Sequence, residues 1–363
     1  MKPHITYSSL ISLYRRWRNS SAGHDRIHLV YQLLKKRCLY TAASVVFGQR
    51  LENPTISSAL GLPIVHHDGY ECYLPPNHRF QMRKFNKLRD VLLRDGVVSR
   101  KQISYPLQTT KEELKCVHAD DYIDRFFEGT TSKKEQRVTG FKWSKGLVSR
   151  CRYETGGTIL AAELALDRGL ASSTGGGTHH AFPDHGAGFC LINDMATAAR
   201  LMIQRSKVDN VLIVDLDVHQ GDGTAVIFKD DPSVFTLSVH CGKNYPVRKQ
   251  ESDCDVAVDV GLGDKEYMKV VQDHLPSILD RFRPGLVFFD AGVDPHRDDA
   301  LGHLELTDDG LLKRDHWVIT EVVSRGIPCV TVIGGGYDDV DRLAARHSLV
   351  HRAASKVWQE RLL

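Results

Sequence analysis

The sequence predicts a single doubly wound α/β domain with a mostly parallel central sheet. Two observations carry that expectation. Short apolar runs rich in β-branched residues, residues 211–214 (VLIV) above all, alternate with longer segments whose apolar residues recur at helical spacing. Four of the apolar runs lead into clusters of Gly, Asp, His or Tyr. Clusters of this kind mark strand ends in open α/β sheets, where sites gather outside the carboxyl ends of the strands.

The first element lies outside that domain. Residues 1–50 hold nine Lys or Arg and one acid, Asp25, so the remaining chain carries 39 basic and 44 acidic residues. Residues 10–18 (LISLYRRWR) have the pattern of a short basic amphipathic helix. A stretch of this composition, residues 1–55, reads as an organellar transit segment for a mitochondrion or chloroplast, or equally as a loosely packed basic tail. The domain proper is expected over residues 56–363.

Within it, residues 62–67 (LPIVHH) read as a first strand and residues 82–95 as a helix, with Phe85, Leu88, Val91 and Leu92 on one face. Residues 114–127 look helical, and the polar stretch 128–146 reads as a surface loop. An Ala/Leu-rich helix over 156–168 leads to a short strand at 170–173 and three glycines. A helix at 194–206, strands at 211–214 and 234–239, a helix at 266–282, strands at 286–290 and 328–333, and helices at 311–325 and 341–358 complete the alternation.

Composition narrows the function. With 42% hydrophobic residues the chain can bury a large core. No apolar run reaches the ~18 residues of a spanning helix, so no membrane span is expected. The mildly acidic body gives no footprint for direct nucleic-acid binding. The eight cysteines form no CxxC pair, which points to reduced thiols and an intracellular setting: an organelle if the extension directs import, otherwise cytoplasm or nucleus.

The chemistry centres on residues 215–223 (DLDVHQGDG). In an extended chain Asp215, Asp217 and His219 project to one side. Two carboxylates and an imidazole converging at a strand end make a metal site, with Zn²⁺ the leading candidate; the other reading is a turn whose acids cap the next helix. Three further strand ends carry residues 175–181 (GGGTHHA), 290–294 (DAGVD) and 334–337 (GGGY). No GxxxxGK[ST] or GxGxxG phosphate loop is present.

In combination and in this order, these segments resemble the zinc-dependent histone deacetylase family and its arginase/deacetylase fold, most of all its short bacterial-type and class IV members. Further matching pieces are residues 76–82 (PNHRFQM), 117–122 (VHADDY), 152–158 (RYETGGT), 188–194 (GFCLIND) and 238–240 (SVH). The resemblance implies zinc ligands at Asp217, His219 and Asp294. It implies a general acid/base at His180 with His179 beside it, Asp215 paired with His179 and Asp222 with His180. Tyr337 falls at the transition-state tyrosine. A K⁺ ion beside the zinc would involve Asp215, the backbone of Asp217 and His219, and Ser238. Phe189 and Tyr245 match the walls of an acyl-lysine tunnel, Leu301 its rim, and Arg79 an arginine at its foot.

The implied reaction is hydrolysis of an acetyl-lysine amide in histones or other proteins. Long-chain acyl-lysines and small acetylated amines such as acetylpolyamines are the alternatives. Arg79 at the foot favours acetyl over a lipid tail, which could not hydrogen-bond it. A two-metal arginase-like hydrolase is disfavoured by Gly221 and Gly292, where such relatives carry Asp. A reading of another class, a catalytically inactive module that binds acylated partners, is opposed by the complete set of ligands, histidines and tyrosine.

Overall fold

A computed structural model describes residues 61–361 together with Ile56 and Leu363, so the basic extension expected over residues 1–55 lies outside the described residues. The strands are β1 (Ile64–Val65), β2 (Ile103–Ser104), β3 (Leu170–Ser173), β4 (Val211–Asp215), β5 (Val234–Cys241), β6 (Cys254–Val258), β7 (Leu286–Asp290) and β8 (Cys329–Val332). They form one eight-stranded sheet in the order β2-β1-β3-β8-β7-β4-β5-β6. Every pairing is parallel.

The continuous apolar runs follow from burial on both faces. In β4, Leu212 and Val214 enter one core while Val211 and Ile213 enter the other; in β7, Val287 and Phe289 face the first core, Leu286 and Phe288 the second. The first core is covered by helices α8 (Asp264–Phe282), α9 (Asp308–Val323) and α10 (Val340–Arg361), the second by α5 (Lys145–Arg168) and α6 (Asp194–Gln204). Each such side chain contributes about 1.5–3 kcal/mol on full burial, and a one-residue slip would exchange the two sets between cores of different shape.

This topology positions the site. Strands β3, β8, β7 and β4 are consecutive across the sheet, and being parallel they deliver their carboxyl ends to one edge. The four glycine-, acid- and histidine-bearing segments therefore emerge side by side although they are spread from residue 175 to residue 337.

Several boundaries differ from expectation. The helix expected at 114–127 is two, α2 (Lys111–Leu114) and α3 (Asp120–Glu128), and the expected loop at 128–146 contains α4 (Lys133–Thr139), opened by a Ser132/Glu135 capping box. Helix α5 starts at Lys145, not at 156, because Gly156 and Gly157 lie inside it. A Cβ at Gly156 would stand 2.0 Å from the Leu107 carbonyl oxygen, and one at Gly157 1.9 Å from the Tyr70 hydroxyl, so these glycines serve close packing rather than a break. Edge strand β6 escaped the pattern because it is half exposed and carries no apolar run. Helix α1 (Lys84–Arg94) and the short α7 (Asp222–Phe228) complete the fold.

Candidate active site

Asp217 and His219 follow β4, and Asp294 follows β7. One ligand atom from each of the three lies within 4.8 Å of the others, and all three residues are buried. His219 Nδ1 is 2.9 Å from Asp217 Oδ1 and 3.1 Å from Asp294 Oδ2. Backbone donors hold the outer oxygens: Gly335 N–H donates to Asp217 Oδ2 at 2.7 Å and Val218 N–H to Asp294 Oδ1 at 2.9 Å. Asp294 Oδ2 makes no hydrogen bond. Two buried carboxylates and an imidazole facing one another need a cation, and this donor set fits a divalent metal. The space is kept by glycine, since a Cβ at Gly335 would stand 2.2 Å from Asp294 Oδ2 and 2.5 Å from Asp217 Oδ2.

The loop after β3 brings in two histidines. His179 Nδ1 lies 2.7 Å from Asp215 Oδ2, His180 Nδ1 lies 2.6 Å from Asp222 Oδ1, and the two Nε2 atoms are 3.1 Å apart. Both rings are buried, but their electrostatics differ. Burial opposes charge on His179, yet Asp215 and Asp217 outweigh it and hold that imidazole well above its ordinary value. For His180 burial dominates and the neighbouring His179 adds to it, pushing the ring down to about 4 despite Asp222. The arrangement is a charged imidazole beside a neutral one.

Tyr337 ends the glycine run after β8. Its ring centroid is 6.2 Å from that of His219 and 5.8 Å from that of Phe189. Burial first, and then the Asp294 and Asp217 carboxylates, push its hydroxyl well above the ordinary range, so it stays protonated. Its backbone is pinned: Tyr337 N–H donates to Asp299 Oδ2 at 2.7 Å, and Ala300 N–H donates to the Tyr337 carbonyl at 2.9 Å. Next to it, Asp338 pairs with Arg346 of α10.

A narrow cavity runs past these groups, lined by His179, His180, Phe189, Asp217 and Tyr337, and farther along by Phe80, Lys84, Arg150 and Glu154. Tyr245 stands on another side, its centroid 4.8 Å from His180 and 6.1 Å from His219. Leu301 is half-buried next to it, its carbonyl accepting from Asn244 Nδ2 at 2.8 Å. Arg79 does not reach the foot and is exposed. His78 and Phe80 on either side of it turn inward onto Phe141 and Phe189, which leaves Arg79 facing solvent.

The cations at the foot are Lys84 and Arg150. Arg150 Nη2 donates to Glu154 Oε1 at 2.8 Å, one helical turn on, and both residues are buried. Lys84 Nζ reaches only the Gly334 carbonyl at 3.3 Å and His347 Nε2 at 3.4 Å. Burial, against the pull of Glu154, lowers its ammonium to about 8. Because the folded value is depressed from 10.5 to about 8, the penalty is complete below about pH 8 and disappears as pH rises to 10.5. Lys84→Met is therefore expected to stabilise the fold at pH 7 by up to about 3 kcal/mol, with the gain shrinking between pH 8 and 10.5. Urea denaturation across that range checks this; a pH-independent gap would mean that the ammonium is not under strain.

Ser238, the register partner of Asp215 on β5, is buried and contacts His240 Nδ1 at 3.0 Å. A second buried trio joins His179 and Asp215 to Asp290, neither of whose carboxylate oxygens has a hydrogen-bond partner. Burial and the Asp215 charge push Asp290 well above the carboxylate range. Asp290 lies in the 290–294 segment but was given no role, and Lys84, Arg150 and Asp299 were missed from sequence. Only the Arg150/Glu154 pair left a signal there, as opposite charges four apart on a helix. Among the described residues no helix is long and apolar enough to cross a membrane.

Comparison with known proteins agrees with the geometry. Residues 78–353 match the histone deacetylase domain family. An uncharacterized protein of the cyanobacterium Picosynechococcus is 48% identical over 82% of this chain and all of its own length. Histone deacetylase 2 of Arabidopsis thaliana is 32% identical over 72% of this chain and 70% of its own. Among solved structures, the crystal structure of the HDA15 HD domain superposes with a TM-score of 0.67 at 25% identity, covering 79% of this chain and 89% of that one.

Proposed function

The chain belongs to the histone deacetylase family, and from that premise we propose that it is a zinc-dependent amidohydrolase removing acetyl groups from lysine side chains of histones or other proteins. The observation that carries the reading is the placement of the His179–Asp215 and His180–Asp222 pairs beside the Asp217/His219/Asp294 trio, with Tyr337 lining the same cavity.

Asp217, His219 and Asp294 would hold the zinc, leaving positions open on the cavity side. When bound, the ion supplies Lewis-acid polarisation of the amide carbonyl and of water. His180 would take the proton of the attacking water. Its Nδ1–H is fixed toward Asp222, which leaves Nε2 as the basic atom, and the low proton affinity of the free ring makes it a ready donor to the leaving amine afterwards. His179, anchored by Asp215, would orient that ring and place positive charge next to the developing oxyanion. Tyr337 would donate its hydroxyl to the same oxyanion. The products are the free lysine amine and acetate. Asp215, Ser238 and the carbonyls of Asp217 and His219 would accept K⁺ behind the zinc, fixing the loop that carries two ligands.

Phe189 and Tyr245 would clamp the lysine stem, with Leu301 at the rim. Acetyl is favoured over long acyl groups, because a lipid tail would have to lie against Lys84 and the Arg150–Glu154 pair without offering a hydrogen bond. The test is kcat/KM for acetyl-lysine and myristoyl-lysine peptides of one sequence, with N-acetylspermidine alongside. We expect the acetyl peptide to lead by tenfold or more, about 1.4 kcal/mol in transition-state binding. A lead for the myristoyl peptide would overturn the acyl preference, and a lead for the polyamine would make the substrate a small amine.

A further inference from the structure

The segments around the cavity carry exposed basic side chains. Three loops supply the walls around Phe189: His78 and Phe141 stack on each other and flank its ring, and the Thr139 carbonyl accepts its N–H at 3.1 Å. A fourth loop supplies Tyr245 on the His180 side. On these loops Arg79 adjoins His78, Arg137 and Lys142 bracket the Thr139–Phe141 segment, and Lys243 and Arg248 flank Tyr245. All five are exposed, and among the described residues none of them forms an ion pair.

The acids on and around these loops are already engaged. Glu135 pairs with Arg125, Asp184 with His185, Glu71 accepts the Asn86 N–H, and Asp338 and Asp298 both pair with Arg346. Arg79, Arg137, Lys142, Lys243 and Arg248 are thus left as exposed cations with no acid of their own among the described residues, while the chain beyond its first fifty residues is net acidic. Such an arrangement does not stabilise the fold, since like charges on neighbouring loops repel; it is suited to a complementary partner.

We propose that the mouth selects polypeptides in which the acyl-lysine is flanked by Asp or Glu. A side chain entering the cavity lays the residues on either side of it against the rim, where Lys142 and Arg137 stand on the Phe189 side and Lys243 and Arg248 on the Tyr245 side. Acidic neighbours meet these cations. The Lys- and Arg-rich flanks of a histone tail are repelled by them, so the preferred protein substrates are acidic ones. The inference rests on the deacylase reading only in taking the cavity as the path of the acyl-lysine.

The test uses the full zinc-loaded chain and three acetyl-lysine peptides of equal length, with Glu, Ala or Lys at the two positions on each side. Turnover is measured together with fluorescence anisotropy of the labelled peptides, in low and high salt, and with a single-stranded oligonucleotide as competitor. The Glu peptide is expected to lead the Lys peptide by tenfold or more in kcat/KM, with most of that lead lost at 0.5 M salt, roughly where screening shortens to a few ångströms. The double charge reversal Lys142→Glu/Arg248→Glu should shrink or invert the order, and leave turnover of a small acetyl-lysine amide unchanged. Equal kcat/KM for the three peptides, or an order untouched by the reversal, overturns the proposal. Tight oligonucleotide binding that displaces the Glu peptide overturns it in favour of a nucleic-acid surface. Absence of turnover on the small amide would strike the deacylase reading instead, while anisotropy would still report the charge preference.

Discussion

Asp217→Ala and Asp294→Ala are each expected to remove the bound zinc and to lower kcat/KM by on the order of 10⁴ or more. Both effects follow from how the trio is built. The two carboxylates are buried and converge on one imidazole, and Asp294 Oδ2 faces only His219 Nδ1, at 3.1 Å, so the set is suited to a cation. Removing one carboxylate leaves two ligands, too few for a catalytic zinc site. The same electrostatics separates a metal role from a structural one. If the carboxylates serve the metal, Asp294→Ala should be at least as stable as the metal-free wild type, because burial and the Asp217 charge disfavour the Asp294 carboxylate there. Elemental analysis, turnover and urea denaturation of both variants check this. Zinc near one per chain with turnover intact in either variant would sink the ligand set. A large loss of stability in Asp294→Ala, relative to metal-free wild type, would make that acid structural.

The central chemistry was legible because polar residues there defied the local pattern. A buried β-branched run that ends in Asp215, Asp217 and His219 has no structural use for so much charge, and the parallel order β3-β8-β7-β4 then collects the other polar strand ends at the same edge. The foot of the cavity was not legible. Arg79 and Lys84 are five residues apart on one loop-to-helix segment, and which of them turns inward depends on His78 and Phe80 packing onto Phe141 and Phe189. That is a tertiary contact between segments some sixty to one hundred residues apart, invisible to periodicity. The start of α5 was missed for a related reason. The expected helix began at Gly156, but Gly156 and Gly157 lie inside the longer helix, at the points where it meets Leu107 and Tyr70. Continuous apolar runs identified β4 and β7, whose faces are both buried; β6, half exposed, carries no such run.

Tyr337→Phe is expected to lower kcat by on the order of 10²–10³ while zinc content, KM and stability stay close to wild type. The ring position does not depend on the hydroxyl. It is set from the backbone, by Tyr337 N–H on Asp299, by Ala300 N–H on the Tyr337 carbonyl, and by Gly334 N–H on the Gly176 carbonyl at 3.2 Å. The Asp338–Arg346 pair holds the chain on the far side. Phenylalanine should therefore occupy the same place and leave only one donor missing. That donor counts most where negative charge develops, so its loss falls on the transition state and not on the bound substrate. Because burial and the Asp294 and Asp217 charges keep the phenol protonated, its own titration should not shape the pH–rate profile below pH 10. The variant's profile should have the wild-type form at a lower height. Turnover within a few-fold of wild type would show that the hydroxyl is not used. A parallel loss of zinc would show instead that Tyr337 supports the metal loop, in which case Asp299→Asn, which weakens the same anchor and keeps the hydroxyl, should lose zinc as well.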